Sequence, residues 1–357
     1  MSTLKIGRRA FAAWLAAAAM LPLPSAAAAR PRARTPRSRM TPLTKPPRLR
    51  RGDTVGLIAP GGYTTEKSIA KARANIESLG LKVREGQYLR EVNGNYAGTV
   101  AQRLSDLHAM FADPEVAMLW PIRGGSGCIS LLRELDYDLI RKHPKILLGY
   151  SDITALHLAI LKETGLVTFH GPVASSTLSE YAREHMLAVL MDPQPRYTIP
   201  MALENSRRAI LQPHFGMRTV HGGSASGPLI GGNLSLVAAL AGTPYAADFR
   251  DSILFLEEVN EAPYRIDRWM TQLDLAVGFR KAAALMIGIC EDCGPEHEDS
   301  SLTLDQTFDL HLQPLSIPAV TGYSIGHIRN QFTIPMGIQA SLDAERQTLT
   351  LLEAAVS

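Results

Sequence analysis

The sequence predicts an α/β fold: a parallel, Rossmann-like sheet domain carrying a strand-turn-helix elbow, followed by a smaller C-terminal domain of mixed, β-rich character. Three observations predict it. From Asp53 onward, apolar strand-like runs alternate with helical patterns, and glycine-bearing turns follow the runs instead of interrupting them. Between about Arg183 and Ser226 that alternation breaks at Pro193, Pro195, Pro200, Pro213 and Gly222-Gly223. A second series of apolar runs and helices then resumes.

The first series reads as extended segments at 54–59, 81–85, 116–122, 145–149 and 167–170. Helical patterns at 66–78, 100–111, 130–135 and 153–162 separate them, each placing apolar residues three or four apart. Loops at the carboxyl ends of parallel strands gather function, and Pro60-Gly61-Gly62, Arg123-Gly124-Gly125 and Tyr150-Ser151 all fall on that edge. In the second series Gly231-Gly232-Asn233-Leu234 opens a helix to Ala241, and an apolar run at 253–256 is followed by a helix at 265–275 and a run at 284–289. Short strands near 319–321, 332–334 and 348–352 are expected to close the smaller domain. The expected organisation is an export signal at 1–29, a basic proline-rich linker at 30–51, an N-terminal α/β domain at 52–200, an inter-domain linker at 201–225 and a C-terminal domain at 226–357.

Lys5, Arg8 and Arg9 precede an apolar run at 10–23, then Pro24, Ser25 and four alanines, the pattern of a cleavable export signal. Adjacent Arg8-Arg9 suggest the twin-arginine route and a periplasmic or otherwise exported protein. Residues 30–51 carry nine basic residues and five prolines, too little apolar content to fold, and form a solvated tether able to touch an anionic membrane or wall. Twelve of the 37 Lys and Arg lie in residues 1–52, which leaves 25 basic against 34 acidic side chains and a formal charge of −9 on the rest. No nucleic-acid partner is indicated. Three cysteines, Cys128, Cys290 and Cys293, exclude a disulfide framework. Cys290-x-x-Cys293 with His297 falls short of a four-ligand zinc pattern, and a Cys290–Cys293 disulfide is the better expectation in an oxidising compartment.

The segment Leu147-Leu148-Gly149-Tyr150-Ser151-Asp152-Ile153-Thr154 ends an apolar run at a serine and starts a helix at once. A serine presented this way meets a base on one side and free helix N–H groups on the other, with Gly149 expected to permit the sharp turn. The competing reading makes Ser151 an ordinary N-cap. Glu257, delivered at the end of the 253–256 run, is the best acid to orient a base, and Glu258 points to the opposite face if the strand persists. Among ten histidines, His327 after Ser324-Ile325-Gly326 and His170 in Phe169-His170-Gly171-Pro172 are the candidate bases. Spacing does not choose between them, although the order Ser, acid, His known in one hydrolase class leans toward His327. The glycines of Arg123-Gly124-Gly125 suit an oxyanion donor or equally a tight turn.

Together, Ile58-Ala59-Pro60, Arg123-Gly124-Gly125, Leu135-Asp136-Tyr137, Gly149-Tyr150-Ser151-Asp152, His170-Gly171-Pro172, Gly231-Gly232-Asn233-Leu234, Leu256-Glu257-Glu258 and Gly326-His327 resemble, in order, the LD-carboxypeptidase family of serine peptidases. That family includes murein tetrapeptide carboxypeptidases and microcin self-immunity hydrolases. The resemblance implies Ser151 as nucleophile, His327 as general base, Glu257 orienting it, and the N–H groups of Gly125 and Asp152 as the oxyanion hole. It implies no metal or organic cofactor, a homodimer, and as substrate a peptidoglycan-derived peptide ending in D-alanine. Ser126 stands where the family usually carries an aromatic residue, and Cys290 where it often has a larger one.

The expected activity is a serine LD-carboxypeptidase that removes C-terminal D-alanine from murein tetrapeptides through an acyl-enzyme. A self-immunity hydrolase of a peptide-nucleotide antibiotic is the near alternative. A periplasmic wall-peptide binding protein is the rival from another class, and convergence of Ser151, Glu257 and His327 separates the two.

Overall fold

The computed structural model describes residues 42–295 and 301–357, so the expected signal, most of the tether and His297 lie outside the described residues. In chain order the strands are β1 Thr54–Ile58, β2 Lys82–Glu85, β3 Val116–Pro121, β4 Ile146–Gly149, β5 Phe169–His170, β6 Tyr197–Ile199, β7 Arg218–His221, β8 Ser224–Asn233, β9 Ile253–Glu257, β10 Ala284–Gly288, β11 Ala319–Tyr323, β12 Ile334–Pro335, β13 Gln339–Asp343 and β14 Thr348–Leu351. The helices are α1 Glu66–Ser78, α2 Val100–Ala112, α3 Tyr137–Lys142, α4 Thr154–Thr164, α5 Glu180–Leu190, α6 Leu203–Arg208, α7 Leu234–Leu240, α8 Pro263–Ala276 and α9 Leu304–Leu312. Local chemistry explains their ends. Thr65 caps α1 by accepting from the Ser68 N–H, Thr99 and Gln102 form a reciprocal capping box on α2, and Gly165 closes α4 in the left-handed conformation.

The first sheet has six strands in the order β12-β5-β4-β3-β1-β2. β1 to β5 run parallel, and β12 joins antiparallel, Ile334 opposite His170. The second sheet has eight strands in the order β6-β14-β13-β8-β9-β10-β11-β7, with a parallel centre from β8 to β11 and antiparallel flanks. The fold is thus α/β with a parallel sheet first and a mixed sheet second.

Several expected boundaries move. The strand near residue 333, expected in the smaller domain, is β12 and completes the first sheet. β6 falls within the span expected for the N-terminal domain but pairs with β14 of the second sheet, and β7 and α6 occupy the stretch expected to be a linker. The helix expected at 130–135 is a short 3-10 turn, Cys128–Leu131. Residues Met40–Ser357 form one compact unit. One apolar core runs through both sheets, taking in Leu57, Trp120, Leu148 and Phe169 of the first with Leu229, Phe255, Met286 and Val320 of the second. No helix among the described residues is long and apolar enough to cross a membrane.

Candidate active site

Ser151 sits where β4 ends, at φ +62°, a conformation disfavoured for any residue with a Cβ. The strain expected at Gly149 therefore falls on the serine itself; Gly149 is an ordinary strand residue whose missing side chain leaves room for Ile153. Nor is Ser151 a cap. The turn Ser151–Ile153 is capped at Tyr150 without any side-chain bond, and α4 begins three residues after the serine. Ser151 is partly exposed, and within its turn the Ile153 N–H donates back to the Tyr150 carbonyl at 3.3 Å.

Three loops from the carboxyl edge of the first sheet converge on it. The Gly62 N–H donates to the Gly124 carbonyl at 2.9 Å, tying the loop after β1 to the loop after β3. Gly124 lies against Ser151: a Cβ there would stand 2.7 Å from Ser151 Cβ and 3.0 Å from the Asp152 nitrogen. The buried Asp152 carboxylate accepts from the Cys128 N–H at 2.9 Å and so anchors the far side of that loop. Arg103, 3% exposed, staples the group by donating from Nη1 to the Pro60 carbonyl at 2.8 Å and the Gly127 carbonyl at 2.9 Å. Sequence reasoning missed Arg103; its signal was a position on the buried stripe of α2 with Leu104, Leu107 and Phe111.

Glu257 and His327 come from the carboxyl edge of the second sheet. Glu257 ends β9 beside Asn233, which ends β8, and is fully buried. His327 Nδ1 lies 2.7 Å from Glu257 Oε2; a carboxylate only accepts, so Nδ1 carries the proton and donates, leaving Nε2 unprotonated in the neutral ring. Gly326, at φ +120°, lets the loop fold onto Glu257, because a Cβ there would meet the Ile289 carbonyl at 2.6 Å. Burial penalises the Glu257 charge, but the field and hydrogen bond of His327 outweigh it and hold its pKa below the usual carboxylate value. Burial likewise opposes charge on His327, yet Glu257, and behind it Glu258 and Glu291, raise its pKa above the ordinary 6.5. Glu258 takes the opposite face, accepting from Asn233 Nδ2 at 2.7 Å and the Ser235 N–H at 2.9 Å.

The two halves meet at the site. The Tyr150 ring stands edge-on to His327 with centroids 4.5 Å apart, which places the pair beside the residue preceding Ser151. The Asn233 N–H donates to Thr154 Oγ1 at 3.1 Å, fixing the end of β8 to the helix after the elbow. Ser151 Oγ takes part in no hydrogen bond among the described residues, a common state before substrate tightens a site. Cys128, Cys290 and Cys293 are free thiols, so the expected Cys290–Cys293 disulfide is not formed. No cluster of three or more potential metal ligands is found among the described residues.

Residues 55–171 match the model of the LD-carboxypeptidase N-terminal domain and residues 226–342 that of the C-terminal domain. The chain belongs to the LD-carboxypeptidase family. It is 37% identical to a probable murein peptide carboxypeptidase of Bacillus subtilis, over 88% of this chain and 95% of that protein. Among solved structures it is similar to the muramoyltetrapeptide carboxypeptidase of Oxalobacter formigenes, with TM-score 0.72, 28% identity and coverage of 84% of this chain and 97% of the other. An MccF-like protein from Bacillus anthracis gives TM-score 0.77 at 30% identity, covering 86% and 99%. As a member of this family the protein is a carboxypeptidase of the serine peptidase class.

Proposed function

We propose that this enzyme releases C-terminal D-alanine from murein tetrapeptides by acyl-enzyme chemistry at Ser151. The observation that carries the reading is the Glu257–His327 pair, 2.7 Å apart, set by Tyr150 against a strained serine elbow. His327 Nε2 takes the Ser151 proton as Oγ attacks the carbonyl carbon, and returns it to the leaving amine of D-alanine. Water, deprotonated by His327, then cleaves the ester and frees the shortened peptide. The Gly125 and Asp152 N–H groups receive the oxyanion, a role suited to the tight approach of Gly124 to both Ser151 and Asp152.

Removal of a terminal residue also requires a counter-charge for its free carboxylate. Arg123 is exposed, its guanidinium donates to the Tyr63 carbonyl at 3.2 Å, and Nε lies 3.6 Å from where a Gly125 side chain would begin. No carboxylate pairs with it among the described residues, and we assign it to the substrate's terminal carboxylate. The expected export signal places the activity outside the cytoplasm, on peptides of the wall or shed from it, and a fractionation of cells producing the full chain tests that placement.

The reading is tested with purified tetrapeptide, the same peptide amidated at its C-terminus, and one in which the penultimate centre is D. Rapid D-alanine release from the first alone is expected. Equal turnover of all three would overturn LD-carboxypeptidase specificity.

A further inference from the structure

One oxygen of the buried Glu257 carboxylate is bonded to His327, while the other makes no hydrogen bond of normal geometry among the described residues, although the nearby Asn233 amide, bonded to Glu258 Oε1 at 2.7 Å, also favours the Glu257 charge. Oε2 meets His327 Nδ1 at 2.7 Å, whereas Oε1 has no hydrogen-bond partner. His170 Nε2 stands 4.0 Å from Oε1, and neither nitrogen of that buried ring has a hydrogen-bond partner. A carboxylate oxygen and an imidazole nitrogen left unpaired side by side in a dry interior are each unfavourable, and closing the gap by about 1 Å would pair Oε1 with Nε2. The backbone of His170 is held between β4 and β12, opposite Gly149 on one side and Ile334 on the other. Its ring packs edge-on against Phe255 at 5.3 Å and Tyr150 at 6.2 Å. His170 is therefore a fixed group of the nucleophile's sheet aimed at the acid of the other sheet.

We propose that His170 is a positioning residue for the triad: protonated on Nε2, it directs that proton at Glu257 Oε1, closing the 4.0 Å gap in the folded enzyme, and holds the carboxylate in line with His327. The proposal rests on the assignment of Ser151, His327 and Glu257 given above. An ionised carboxylate only accepts, so the Nε2-protonated tautomer is required. Burial keeps His170 neutral by driving its pKa down to about 4, against the attraction of Glu257. The groups facing His170 are Glu257, His327, His157 and Tyr150; those facing His327 are Glu257, Glu258, Glu291, His170 and Tyr150. A donor on Oε1 draws off part of the charge that holds the His327 proton. Its loss leaves a stronger partner for that proton and raises the His327 pKa.

The test is an imidazole NMR titration of the folded enzyme, its signals assigned by single His→Gln replacements, with His170→Leu and His170→Gln beside the wild type. Expected are an Nε2-protonated His170, a His327 pKa raised by roughly half to one pH unit in His170→Leu, and recovery in His170→Gln, which keeps a donor. On tetrapeptide, His170→Leu should lose about tenfold in kcat with little change in KM, and shift the acid limb of the pH profile upward with the titration. A proton on Nδ1 in the wild type, or a His327 titration unmoved in both folded variants, would reduce His170 to core packing. Should His170→Leu fail to fold, the wild-type tautomer and His170→Gln decide. Full turnover by Ser151→Ala would overturn the triad assignment instead, while the titration still reports the His170–Glu257 contact.

Discussion

Ser151 is held in a backbone conformation costing about 1–3 kcal/mol, and the side chain that results projects into the space Gly124 leaves open. Gly124→Ala puts a carbon 2.7 Å from Ser151 Cβ and is expected to reduce kcat/KM at least about 100-fold by displacing the serine; unchanged kinetics would mean that the loop has slack the packing does not suggest. The raised pKa of His327 fixes the sign of the pH dependence. The base must be neutral to accept the serine proton, so kcat/KM climbs with pH through an apparent pKa above 6.5, measured on free enzyme and dilute tetrapeptide. An acid limb below that value would point to a different base. Arg123→Gln should raise KM for the free-acid peptide by about 10- to 100-fold and leave slow amide turnover unaltered. A uniform loss on both substrates would remove Arg123 from carboxylate recognition.

The working elements are the loops after strands, a consequence of parallel pairing that sets many strand ends on one edge. Their rigidity depends on groups well behind the chemistry. Arg103→Met strips the donor from two loop carbonyls and is expected to lower unfolding free energy by about 2–3 kcal/mol, read by urea denaturation, together with a fall in kcat. Much of this layer was legible in sequence: the alternating periodicities locate α1, α2 and the strands that lead into Pro60, Arg123 and Ser151. Glu257 announces itself as a carboxylate closing an apolar strand. Pairing at long range was not legible. β12 is two residues long and finds β5 across more than half the described chain, while β6 and β7 lie in a proline-broken stretch whose local pattern is weak. The choice between His327 and His170 likewise needed three dimensions, because both end near Glu257 and the chain order says nothing about which ring nitrogen reaches it.

Across the whole molecule, neither sheet owns the site. The first supplies Ser151 and His170, the second Glu257 and His327, and β12 returns the chain to the first sheet immediately after the His327 loop. A shared core and the Asn233–Thr154 bond join the halves, so protein lacking residues 1–39 should melt in a single calorimetric transition; two resolved transitions would show that the sheets unfold separately. On the proposed mechanism, catalysis depends on keeping the two strand edges in register. The measurement that bears most directly on this account is D-alanine release from a wall tetrapeptide by the wild type and by Ser151→Ala, with folding of the variant checked by its melting temperature. Release by the wild type and a loss of at least about 10³-fold in the folded variant are predicted. Comparable release by both would contradict nucleophilic catalysis at Ser151 and, with it, the roles given to His327 and Glu257.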